Sequence, residues 1–303
     1  MRVVLSRKGF DTKYGGIPSP ILEDGRMVSL PIPAGTPESG EDRRRRYNEL
    51  YYGQNERIVD LMRTLGKDTF ESNGQSYKFE SDRARAHLDP DLLRIALRSR
   101  NLRWKPLFGP TENKFSLLYG RIGIGDLFLF FGWFQKVKHD DDRLVLDPDD
   151  CNTNYGGKHR IFGYLQVGRI FEVAKDRLPE WTSSHPHVGV KDKQESKHNI
   201  IYAAKSSLTF AQKISGAGVF RYEEKKEKNP TTKLTLTKSS HCMTDWELPF
   251  TGIDCWNSPD KPLTKPWRGD CFKCPDIGQE LLFENPLVEQ WAKKLILAHE
   301  IRK

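Results

Sequence analysis

Six residues, "SRKGFD" from Ser6 to Asp11, place a hydroxyl, two cations and a carboxylate together ahead of a Gly/Pro-rich stretch, "GGIPSP". Ser6, Arg7 and Lys8 are residue types that hold phosphates, and the two cations favour the ionised form of Asp11. A carboxylate kept ionised on a rigid turn can stabilise a cation that develops on a substrate, or can activate water. Asp89 is the second candidate, although Asp89 followed by Pro90 is also a good helix start: Asp caps free N–H groups and Pro suits the first helical position. "HPHV" sets His185 and His187 two residues apart, where they could donate to a base, bind phosphate or ligate a metal. Nothing in the sequence brings His87 or His159 to them, so no metal is assigned. "CFKC" at Cys271 and Cys274 has the spacing of a zinc knuckle, with Cys242, Cys255 and His241 as possible partners, but a second close pair is missing. No Walker loop, dinucleotide fingerprint or nucleophile elbow occurs, and no cofactor is assigned.

These groups need a scaffold. Arg2 to Leu5 reads as a buried strand that holds the opening loop at its end. Met27 to Pro33 reads as a second short strand, and a helix is predicted over Tyr47 to Leu65 after the four-arginine run Arg43 to Arg46, in which Arg44 and Arg45 are candidate phosphate contacts. A second helix is predicted over Pro90 to Ser99. Its Arg94, Arg98 and Arg100, with Arg103, Trp104 and Lys105 beyond, make another candidate phosphate surface. The apolar runs "IGIGDLFLFFGWFQKV" and "HRIFGYLQVGRIFEV" are expected to pair as neighbouring strands around a long polar excursion. Further strands are expected at Asn199 to Ala204, Gly218 to Tyr222 and Leu234 to Thr237, and a closing helix at Pro286 to Ile301. Together they predict an α+β fold, a mixed and strongly curved sheet or a β-barrel core with peripheral helices.

Composition narrows the class of partner. Among 303 residues, 49 Lys and Arg against 41 Asp and Glu leave a formal charge of +8, which favours an anionic partner, most commonly nucleic acid. Seven Trp among 11% aromatics supply rings of the kind that stack on unpaired bases. No stretch approaches the roughly twenty apolar residues of a membrane span, and the start lacks the apolar core of a signal peptide, so a cytoplasmic protein is expected. Five cysteines at irregular spacing fit a reducing compartment.

"GDLFLFFGWF" with "IFGYLQVG" resembles the strand pattern of PUA-like domains, which include the EVE and ASCH domains. Over nearly the whole chain, "SRKGFD", "GGIPSPI", "HLDPDL", "FGWF", "FGYLQVG", "HPHV", "NIIYAA" and "GAGVF" occur in order and resemble the third nucleotide-modification-associated domain family. A single such domain over 1–303 is then expected, with 1–115 and a PUA-like core at 116–225 as possible subdivisions. The resemblance implies work on, or against, DNA that carries hypermodified bases, in conflict between phage and bacteria.

An enzyme or reader of a base takes it out of the stack and holds it by stacking and by edge hydrogen bonds. Phe131, Trp133, Tyr164 and Gln166 on the paired strands, with His185 and His187, are the candidates for that pocket. Cleavage of an N-glycosidic bond passes through a sugar cation, which Asp11 or Asp89 would stabilise. The first expectation is a DNA glycosylase that excises a bulky base such as glucosylated hydroxymethylcytosine and leaves an abasic site, as an anti-phage defence. A non-catalytic reader of PUA/EVE type, or a base-hypermodifying enzyme, is the alternative; a transferase would need a donor-binding loop, and none is visible.

Overall fold

The computed structural model describes residues 1–34, 44–72, 74–110, 120–141, 143–151, 156–188, 199–258, 262–275 and 280–300. Its centre is a mixed nine-stranded sheet built on two long strands, Leu127–Asp140 and Lys158–Glu172, which pair antiparallel. These are the two apolar runs of the sequence. Val3–Arg7 lies parallel to the first long strand, and Glu280–Phe283 pairs antiparallel on its other side to make one edge. At the far side, Ile200–Ala204 pairs with Lys158–Glu172, and Leu107–Phe108 closes the order. The two ends of the strand order do not meet, so the curved sheet stays open and is no barrel.

Both faces of this sheet are covered, which explains why Leu127–Gln135 is buried at every position rather than at alternate ones. On one face Phe128 and Phe130 pack edge-on to Phe108, at 4.8 and 5.0 Å between ring centroids. On the other, Phe131 meets Trp246 at 4.8 Å, and Trp246 stacks on Phe272 from a small sheet of Asp245–Glu247, Cys271–Lys273 and Trp267–Arg268. Gly132 is needed between them, because a Cβ there would sit 2.5 Å from the Lys8 carbonyl oxygen. Fixed aromatic contacts of this kind add about 0.5–1.5 kcal/mol each beyond simple burial.

The first strand divides its side chains between the two faces. Arg7 turns to the Trp246 side, where its guanidinium donates to the Pro275 carbonyl at 2.8 Å and lies 5.8 Å from the Phe131 ring centre. Ser6 and Lys8 turn to the Phe108 side. The loop that follows is held by Phe10, which packs on Phe79 in a second hydrophobic cluster with Tyr47, Leu50, Val59, Met62 and Phe70.

Two helices differ from expectation. Tyr47 to Leu65 is a single 3-10 turn, Tyr47–Glu49, then a reversal and a short α-helix at Ile58–Thr64. Pro90 to Ser99 is not α-helical. Asp91 exchanges both backbone hydrogen bonds with Leu107, which keeps the chain extended, and only Arg94–Ala96 makes a 3-10 turn. Its burial of Leu92, Ala96 and Leu97 is thus met without a helix. The closing helix forms at Pro286–Ala298, with Asn285 accepting from the Leu287 N–H as its cap. No helix among the described residues is long and apolar enough to cross a membrane.

Candidate functional site

The Phe108 face of the sheet carries a buried polar group assembled from distant segments. Asp89 lies between the imidazoles of His185 and His187, with Oδ1 3.4 Å from His185 Nε2 and Oδ2 3.8 Å from His187 Nε2. All three side chains are at most 1% exposed. The Gly109 N–H donates to Asp89 Oδ1 at 3.0 Å. Only glycine fits at 109, since a Cβ would meet the His187 ring at 2.9 Å and His185 Cε1 at 3.0 Å.

The orientation of the histidines is set locally. A turn at 183–188 lets the His187 N–H donate to His185 Nδ1 at 3.3 Å, leaving Nε2 of that ring toward Asp89. Asn199 braces the other imidazole twice: its Nδ2 donates to the His187 carbonyl at 2.7 Å, and its Oδ1 lies 3.1 Å from His187 Nδ1. His87 adds its ring edge-on to His187 at 5.4 Å. His185 Nε2 is buried and makes no hydrogen bond among the described residues.

Beside them, Lys8 Nζ donates to Glu280 Oε1 at 3.2 Å, and the Ser6 hydroxyl donates to the same oxygen at 3.1 Å. Lys8 also sits 4.8 Å from the centre of the Phe108 ring. Burial pushes the Asp89 carboxyl up, but the close His185 contact and the charges of His185, His187 and Lys8 outweigh it and hold Asp89 below its ordinary value. A carboxylate buried against two imidazoles is a typical acid–base arrangement.

An apolar pocket of about 310 Å³ borders the chain on either side of Asp89, though neither Asp89 nor the two histidines line it. Leu88 and Pro90, on either side of Asp89, line it together with Tyr51, Tyr52, Phe162 and Phe220. Its size falls at the lower end for small-molecule sites.

The residues singled out by sequence divide. Asp89, His185 and His187 come together, and Ser6 and Lys8 stand next to them on Glu280. Asp11 does not join them: its Oδ1 accepts the N–H groups of Lys13 and Tyr14, at 2.8 and 2.5 Å, and closes its own turn. Asp89 caps no α-helix; its oxygen is used on Gly109 instead. Phe131, Trp133, Tyr164 and Gln166 line neither the group nor the pocket. Trp133 Nε1 donates to the Gly156 carbonyl, Tyr164 OH donates to the Ser215 carbonyl, and Gln166 is bound by Gly125 and Thr209. Arg44 donates to the Ala34 carbonyl and Arg45 is half-buried beside it. Among the described residues no cluster of His, Cys, Asp and Glu could hold a metal, and the buried Cys255 thiol is pushed up to about 12 by burial, with Cys274 adding to it.

Sequence reasoning missed Gly109, Asn199 and Glu280. Asn199 and Glu280 are polar residues at the ends of apolar strand runs, "NIIYAA" and "ELLF", and that placement was the available signal.

The model of the family described as nucleotide modification associated domain 3 matches residues 2–282, the family that the ordered motifs resemble. No curated protein and no solved structure matches the chain.

Proposed function

The chain belongs to the nucleotide modification associated domain 3 family, and from that premise we propose that it acts on DNA with modified bases, as a glycosylase whose centre is Asp89 with His185 and His187. One observation carries the reading: an aspartate buried between two imidazoles, 3.4 and 3.8 Å from their Nε2 atoms. In such a reaction the bond from the base nitrogen to C1′ breaks with its electron pair leaving on the base. Water adds to C1′, and one of its protons passes through an imidazole to the departing base. A buried anion lowers the energy of the sugar cation between these events, and an interior of low dielectric strengthens that effect. Lys8, tied to Glu280, keeps the site's charge balanced, and the Leu88–Pro90 pocket with its aromatic walls suits a flipped base.

The group is closed to solvent without substrate, so DNA binding must open it. The pocket itself supports a second reading, a reader that holds the base and cuts nothing. Incubation with DNA bearing glucosylated hydroxymethylcytosine, followed by alkali, separates them. Alkali-labile sites in modified but not plain DNA are expected, and Asp89→Asn should lower their rate at least about 100-fold, the scale seen when an electrostatic stabiliser is lost. Binding of modified DNA with no alkali-labile sites would leave the reader standing and remove the glycosylase.

A further inference from the structure

Several arginines of this protein are matched by carboxylates, as in Arg26 with Glu56, Arg46 with Glu49 and Arg57 with Asp60. One patch is not. A cleft of about 790 Å³ is lined by Arg103, Lys105, Arg169 and Lys205, with Trp181 and Phe171 alongside. None of these four cations pairs with a carboxylate among the described residues. The Arg169 guanidinium lies 4.4 Å from the centre of the Phe171 ring, and Trp181, half-buried, packs edge-on to that ring at 6.3 Å. Phe171 and Ala203 give the cleft an apolar floor.

A row of unmatched cations beside a partly open indole suits an unpaired nucleic acid strand: charge meets phosphates and the ring stacks on a base. The sequence grouped Arg103 and Lys105 with Arg94, Arg98 and Arg100, but the fold divides that set. Arg100 is committed to Asp91 through two 2.5 Å bonds, and Arg98 donates to Asn55 while stacking on Tyr51. Arg103 and Lys105 turn to the cleft instead.

The cleft is also joined to the buried aspartate by chain. Lys105 is four residues before Gly109, and Trp181 four residues before His185, so each link spans at most ~14 Å. We propose that this cleft holds the phosphodiester backbone of single-stranded DNA and presents the strand to the Asp89 centre. The assignment of the strand to that centre rests on the reading that DNA is the substrate; the binding of the strand does not.

Anisotropy of a fluorescein-labelled 16-nucleotide thymidine oligomer, titrated between 50 and 200 mM NaCl, tests the cleft by itself. Each lost phosphate contact should flatten the plot of log K against log salt by about 0.7, so Lys105→Ala with Arg169→Ala should flatten it by about 1.4 and weaken binding at 50 mM. Lys78→Ala with Arg83→Ala removes the same charge elsewhere and should leave the slope as in wild type. A slope equal to wild type in the cleft variant, an equal loss in both variants, or no wild-type binding at 50 mM would each overturn the proposal. Alkali-labile sites are scored separately, so a protein that binds the oligomer through the cleft but excises no base fails as a glycosylase while the cleft stands.

Discussion

Asp89 and Asp150 both lie buried, and they are neutralised in opposite ways. Asp150 is gripped by a permanent cation: Arg160 reaches it with two bonds of 2.9 and 2.6 Å, and Lys158 and the Lys136 N–H add a third and fourth contact. Asp89 is faced by imidazoles at 3.4 and 3.8 Å, too long for good hydrogen bonds, and by one amide. In both, burial opposes the charge and the neighbours more than restore it, so both carboxyls lie below their ordinary value. An arginine never gives up its proton, whereas an imidazole exchanges one near neutral pH. The first arrangement holds its charge with a permanent cation; the second is the one that the glycosylase reading asks to pass a proton.

Substitution should separate the two most sharply in stability. Asp150→Ala leaves Arg160 charged and unmatched in the core, and breaking such a pair typically costs about 3–5 kcal/mol. Asp89→Asn keeps the shape and removes a charge, so its cost should stay within about 1 kcal/mol although excision is lost. Urea unfolding of both variants checks this. A loss at Asp89 as large as that at Asp150 would make Asp89 a structural anchor and take away the comparison's meaning.

How far the sequence foresaw this arrangement depends on which force decided each element. The two long apolar runs read as neighbouring central strands, because a strand covered on both faces is apolar at every position, as Leu127–Gln135 is buried at every position. The same fact hid the roles of Phe131 and Trp133: when both faces of a strand are covered, an aromatic in the core looks like one in a pocket. Residues 90–99 carry helix-forming types, yet pairing of Asp91 with Leu107 overrides that local preference. Asp89, His185 and His187 were legible as chemistry-bearing types, but only folding brings segments so far apart in the chain onto one sheet face. Asp11 stands apart from the buried group because neighbouring cations in sequence are not neighbours in space: Arg7 and Lys8 point to opposite faces of the sheet.

Acid sharpens the contrast over a different range. His159 is buried on the Trp246 face, where it accepts a 3.1 Å bond from the indole N–H, and burial, with the charge of Arg7, holds it well below the imidazole range. His299 is lowered too, first by burial. An unfolded chain takes up these protons near pH 6.5 while the folded one does not, so stability is full above that pH and declines as pH falls below it. The contribution of Asp89 and Asp150 has the other window: lowered carboxyls stabilise above about pH 4 and lose that contribution only below it. Denaturant midpoints from pH 7 to 3 should therefore fall in two stages. His159→Gln, which keeps an acceptor for Trp246, should flatten the upper stage and leave the lower one; an unchanged upper stage would mean that His159 charges freely in the fold.

The smallest effect is expected where the sequence placed the most weight. Asp11 is partly exposed, and its carboxylate satisfies two N–H groups of its own turn. Asp11→Ala removes those bonds where water can replace them, so it should cost about 1 kcal/mol. Excision and oligomer binding should be unaltered, since nothing in the turn reaches Asp89 except through Lys8, whose partner Glu280 is untouched. Alkali-labile sites formed at the wild-type rate by Asp11→Ala, beside a loss in Asp89→Asn, would assign the reaction to the buried carboxylate alone. A comparable loss in both would mean that the opening loop moves onto the bound DNA and that the sugar cation is met by two carboxylates rather than one.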